Sequence, residues 1–194
     1  VRDLAQNSPA LHQLLPSPKY FQEVSGYFKP FKFLSESKLL DYEKTKAFFI
    51  DQKGKNPLML AKAESMYNKD LDNLDFGNIQ VYNIAGCHVP TQSAYAFSAF
   101  GGIGSVGFLG GDGTVPFQSA SFLNTNSENK YFVKDGTHST LPSKEGVREL
   151  VLGLLEGNLQ ALPENISTSD GFCNLNGNKL SWHSPVEVHV YDSF

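Results

Sequence analysis

The clearest hydrophobic period lies between residues 57 and 74, where Leu60, Ala63, Tyr67, Leu71 and Leu74 recur every three or four positions. That spacing lines up side chains on one face of an α-helix. Asn56 stands where an N-cap belongs, and Pro57 falls at the first helical position, where a missing N–H costs nothing; the helix is expected to end near Asn73 or Leu74. A weaker stripe of Leu39, Leu40, Ala47 and Phe48 predicts a second helix over residues 37–50. After a turn at Gly77-Asn78 the run from Ile79 to Ala85 reads as a strand ended by Gly86, and Tyr131-Phe132-Val133 reads as the centre of a strand at residues 130–134. Ser143 is placed to cap a third helix with Val147, Leu150, Val151, Leu154 and Leu155 on one face, and Gly157 stops it. The alternation from Val186 to Tyr191 predicts one more strand.

Strand after helix points to an α/β fold with a parallel layer. Residues 8–34 carry four prolines and many aromatics, Tyr20, Phe21, Tyr27, Phe28, Phe31 and Phe33 among them, without a sustained period. They read as a long excursion packed by its own rings. Three regions follow: residues 1–76 as excursion and helices, 77–160 as an α/β core, and 161–194 as a Gly/Asn/Ser-rich linker opening a truncated β domain. Both ends read as cut, because the chain begins at Val1 without methionine and stops just after the alternating run.

Composition narrows the function more than the fold. With 40% hydrophobic and 19% charged residues the chain is ordinary globular protein, and a net charge of −4 without a basic stripe argues against nucleic-acid binding. Leu150 to Leu155, the longest apolar stretch, is broken by Gly153 and falls far short of the ~20 residues that cross a bilayer. The histidines and cysteines lack paired zinc spacing, so neither metal nor cofactor is expected. Cys87 and Cys173 are either one disulfide or two buried thiols, and the thiol reading is favoured. Asn165-Ile166-Ser167 fits a glycosylation acceptor but carries little weight.

Two short signals carry chemistry: Gly111-Asp112-Gly113-Thr114-Val115 and Asp135-Gly136-Thr137-His138. A serine hydroxyl becomes nucleophilic when a histidine takes its proton, and that histidine needs a carboxylate to hold its ring. Asp112 and His138 lie at predicted strand ends, in the order acid then base that α/β-hydrolases use. No serine here stands in G-x-S-x-G; the nearest, Ser105, has Ile103 where the first glycine should be. The nucleophile is therefore expected upstream of Val1. Gly102-Ile103-Gly104-Ser105-Val106-Gly107 also imitates a dinucleotide fingerprint, but the glycines and Pro116 that follow preclude the helix it needs. His88 is expected to be structural, having no carboxylate adjacent in sequence, and Cys87 is a poor nucleophile candidate because Pro90 stands where an elbow helix should continue.

Around these residues the chain resembles the lecithin:cholesterol acyltransferase-like branch of the α/β-hydrolases. The resemblance rests on Ser8-Pro9 with Leu14-Leu15-Pro16-Ser17, Val89-Pro90-Thr91, Gly111-Asp112-Gly113-Thr114-Val115 and Gly136-Thr137-His138, in that order, across most of residues 8–157. It departs at Cys87-His88, where the family more usually has a second glycine. It implies the C-terminal part of an α/β-hydrolase, a parallel sheet with flanking helices, with Asp112 as triad acid, His138 as base and residues 8–74 as a cap. Expected partners are then a lipid or other ester and the missing N-terminal half, with contact to a lipid or membrane surface allowed and a secreted or extracytoplasmic setting favoured. The alternative from another class is a non-enzymatic hydrolase-like module that binds lipid or protein.

Overall fold

A computed structural model describes residues 6–24, 28–29, 40–53, 56–97 and 103–175. In chain order these form α1 (Pro9–Gln13), α2 (Pro18–Val24), β1 (Phe28–Lys29), α3 (Tyr42–Lys53), α4 (Pro57–Met66), β2 (Asn83–Cys87), β3 (Val89–Phe97), β4 (Ile103–Gly111), α5 (Phe117–Ala120), β5 (Lys130–Lys134), α6 (Val147–Glu156) and β6 (Ile166–Ser167), with short 3-10 turns between. Helices and strands are mixed, and the class is α/β.

The strands make two small sheets, ordered β1-β3-β4 and β2-β5-β6. β2 and β5 are parallel, in register from Asn83 opposite Lys130 to Cys87 opposite Lys134, as helix-then-strand order predicts. β5 alternates as a doubly covered strand must. Tyr131 and Val133 face Val147 and Leu150 of α6, while Phe132 joins Ala85, Cys87 and Cys173 on the other side. Two antiparallel strands complete the frame: β6 against β5, and β4 against β3 with two register shifts.

Local chemistry explains several boundaries. Asn56 caps α4 by accepting the Leu58 N–H at 3.0 Å, and the helix runs on through a π turn at Tyr67–Leu71, two or three residues short of the expected end. Asp41 starts α3 by accepting the Lys44 N–H at 2.9 Å, so that helix occupies residues 42–53 rather than 37–50. Ser143 is not a cap. It ends a 3-10 turn and donates to the Thr140 carbonyl, and α6 begins only after Gly146, which is left-handed at φ 80°. The apolar face of α6 is narrower than the sequence stripe: Val147, Leu150 and Gly153 are buried, but Val151 and Leu155 lie exposed on its flank. Gly157 closes it in the left-handed conformation, as expected.

The aromatic excursion is more regular than its sequence suggests. Prolines 9 and 18 open α1 and α2 instead of breaking structure, and Tyr20 and Phe21 are buried, with Phe21 set edge-on to Tyr42 at 5.6 Å. Tyr27, Phe31 and Phe33 lie outside the described residues. Beyond Leu162, where a linker was expected, β6 joins β5 and Cys173 enters the core, so residues up to 175 belong to the α/β body. The strand expected at Val186–Tyr191 lies outside the described residues.

β2 runs through Gly86 rather than stopping there. A Cβ at Gly86 would collide with the carbonyl of Gly136, so the bare backbone lets the loop after β5 close against the end of β2. That contact sets up the site.

Candidate functional site

At Cys87-His88-Val89 the chain leaves one sheet and enters the other. β3 and β4 then travel out and back as a hairpin, and their return brings Asp112 beside Val89 at the C-terminal end of β2. The loop leaving β5 arrives at the same place with His138. Strand ends of a parallel pair are where open α/β sheets collect reactive groups.

Asp112 and His138, 26 residues apart in sequence, meet there. The His138 Nδ1 lies 2.8 Å from Asp112 Oδ2, and the His138 backbone N–H donates to the Asp112 carbonyl at 2.9 Å. A carboxylate only accepts, so Nδ1 carries the proton and Nε2 is left to take or give one. Asp112 is buried, and its other oxygen accepts the backbone N–H groups of Thr114 (2.9 Å) and Val115 (2.7 Å). The carboxylate is thus fixed by three donors. The imidazole side chain is 55% exposed, open to an incoming group.

A cleft of about 1050 Å³ adjoins the Asp112 loop. Thr114 and Val115 form part of its wall, with apolar and aromatic residues such as Leu14, Tyr20, Tyr67 and Tyr82 beside polar ones such as Gln13, Lys19, Asp72 and Gln118. Burial pushes the Tyr20 and Tyr67 hydroxyls up to about 12, so both stay neutral at physiological pH. Tyr20 donates to the Ser93 carbonyl, and Tyr67 to the carbonyls of Gln13 and Leu15, which tie the helical excursion to β3 and to α4.

One sequence expectation is corrected here, together with the reason behind another. Cys87 and Cys173 are disulfide-bonded, with Cα atoms 5.2 Å apart, not two free thiols. Cys87 is thereby removed as a nucleophile candidate. His88 does have a carboxylate: its Nδ1 lies 2.9 Å from Asp135 Oδ1, 47 residues away in sequence. His88 (φ 66°) and Asp135 (φ 55°) are left-handed, a conformation that favours glycine, and both sit at strand ends. Their side-chain hydrogen bond and the Asp135 N–H bond to the Cys87 carbonyl (2.9 Å) staple β2 to β5 near the His138 loop. Nothing in the sequence pairs these residues, because only the parallel register brings them together.

Gly104 and Gly107 of the dinucleotide-like run lie within β4, a strand of an antiparallel ladder rather than the approach to a helix, and Gly102 lies outside the described residues. Asn165 donates its side-chain amide to the Glu145 carbonyl at 2.9 Å, which engages the nitrogen that glycosylation would need. Among the described residues, no three His, Cys, Asp or Glu side chains converge as a metal site, and no helix is long and apolar enough to cross a membrane. No protein-family model matches the chain, and no curated protein matches it.

Proposed function

We propose that this chain supplies the acid and base of a serine-type lipid-ester hydrolase or acyltransferase of the α/β-hydrolase kind, with the nucleophilic serine preceding Val1 in the same polypeptide. The observation that carries the reading is the 2.8 Å contact between His138 Nδ1 and a buried, triply bonded Asp112 carboxylate, with the outer half of the imidazole open.

In this reading Asp112 holds the ring and stabilises the imidazolium. His138 Nε2 takes the serine proton as the hydroxyl attacks the ester carbonyl, then hands it to the departing alcohol. A second pass, with water or an alcohol as acceptor, releases the acyl group and restores the serine. All the proton movements use side chains, so no cofactor is required. The adjoining cleft has a mixed wall in which Leu14, Leu15, Tyr20, Tyr67 and Tyr82 offer apolar surface to an acyl chain, whose burial gains ~25 cal/mol per Å². A disulfide persists in oxidising compartments, which supports a secreted or extracytoplasmic setting.

The test compares the 194 residues with the same chain extended upstream, on p-nitrophenyl esters of short and long acyl chains. The extended protein is expected to turn over esters, the long-chain ones with the higher kcat/KM. The 194 residues alone are expected to show no turnover above the uncatalysed rate. Catalysis by the 194 residues themselves, or none by the extended chain, counts against the assignment.

A further inference from the structure

Thr91 is fully buried, and its hydroxyl makes two bonds of opposite sense. Oγ1 donates to the Val89 carbonyl at 2.9 Å and accepts the Gly113 N–H at 2.8 Å. With its one proton committed to Val89, the oxygen must present a lone pair to Gly113. Gly113 immediately follows Asp112. The peptide after the carboxylate is therefore anchored to β3.

The packing leaves little slack around this anchor. A Cβ on Gly111 would strike the Thr91 side chain and the Val115 carbonyl, so the residue before Asp112 is bare because Thr91 fills the space. On the far side, Asp112 Oδ1 is taken by the Thr114 and Val115 N–H groups, which can converge on it only while the turn holds its shape. Oδ2 is then the oxygen left for His138.

We propose that Thr91 is a positioning residue for the Asp112–His138 pair: its hydroxyl locks the Gly113 peptide, the lock shapes the 112–115 turn, and the turn aims Asp112 Oδ2 at His138 Nδ1. The inference deepens the acid–base reading above, but its test needs no turnover. Loss of the hydroxyl removes the acceptor that holds the Gly113 N–H, and the turn relaxes at the carboxylate. Outer partners that orient metal ligands in this way typically change affinity or activity by about 10–100-fold when removed, and the same scale is expected for this pair.

The experiment is ¹H–¹⁵N NMR of histidine side chains in the whole 194-residue chain, comparing Thr91→Val, Thr91→Ala and Thr91→Ser. His12, buried and bonded through Nδ1 to the Ser8 carbonyl, serves as the internal reference. In the unmodified protein His138 is expected to carry its proton on Nδ1, with a slowly exchanging signal. Thr91→Val should speed exchange of that proton by at least about tenfold and shift the ring toward the Nε2–H form, with His12 unchanged. Thr91→Ser, which keeps the hydroxyl, should stay within about threefold of the original. If Thr91→Val does not fold, Thr91→Ala, which removes the hydroxyl without adding bulk, gives the decision. The proposal is overturned if the hydroxyl-free variant that folds keeps the original His138 signal and exchange rate, or if Thr91→Ser loses them equally. Failure of the acid–base reading would be seen elsewhere, as absence of ester turnover in the extended protein while the Thr91 dependence of the imidazole signal persists.

Discussion

Asp112→Asn in the upstream-extended protein is expected to lower kcat by about four powers of ten with little change in KM. An amide is nearly isosteric with the carboxylate, so the turn survives, but it can present its NH₂ to His138 and stabilise the wrong tautomer. His138→Ala should cost a similar factor, and the double variant little more than either alone, because the two residues act as one unit. Steady-state kinetics on a long-chain ester checks all three, with circular dichroism to confirm that the fold is retained. A loss below about tenfold for either single variant would remove the pair from the chemistry.

The second large effect concerns the Cys87–Cys173 bond. It closes a loop of 86 residues and ties the segment after β6 to the end of β2, within the cluster that also holds Ala85 and Phe132. For a loop of that length the chain-entropy estimate is about 4–5 kcal/mol. Cys87→Ser with Cys173→Ser should therefore lower Tm by roughly 10 °C or more in a thermal melt. Reduction of the unmodified protein should produce a similar shift. A change of only a degree or two would mean that the bond adds little to what packing already provides.

How much of this was legible in the residues differs from element to element, for physical reasons. β5 is placed to the residue because Tyr-Phe-Val strongly favours a strand, and the start of α4 because a cap, a proline and a regular apolar period all agree, although its end falls short. The β3–β4 hairpin was not seen as a hairpin. Its second strand contains Gly104, Gly107, Gly110 and Gly111, which carry no side chain with which to display alternation. Yet that hairpin returns Asp112 to the end of β2. Asp112 and His138 were found through chemical context; their contact became measurable only with the topology. His88–Asp135 is hidden because it joins residues far apart in sequence, for which one sequence carries no pairing signal, and with only two cysteines the sequence names the Cys87–Cys173 pair but cannot decide between bond and thiols. Thr91 stands out only as part of Val89-Pro90-Thr91, and its two hydrogen bonds need the close approach of the Gly111–Gly113 backbone, which composition does not reveal.

The central claim is that the Asp112–His138 pair activates a serine. Labelling the extended protein with a lipid-like, serine-reactive phosphonate, followed by peptide mass spectrometry, addresses it most directly. The account predicts a single adduct on a serine preceding Val1, strongly diminished by His138→Ala. No adduct, an adduct on a serine within residues 1–194, or labelling indifferent to His138 would contradict it.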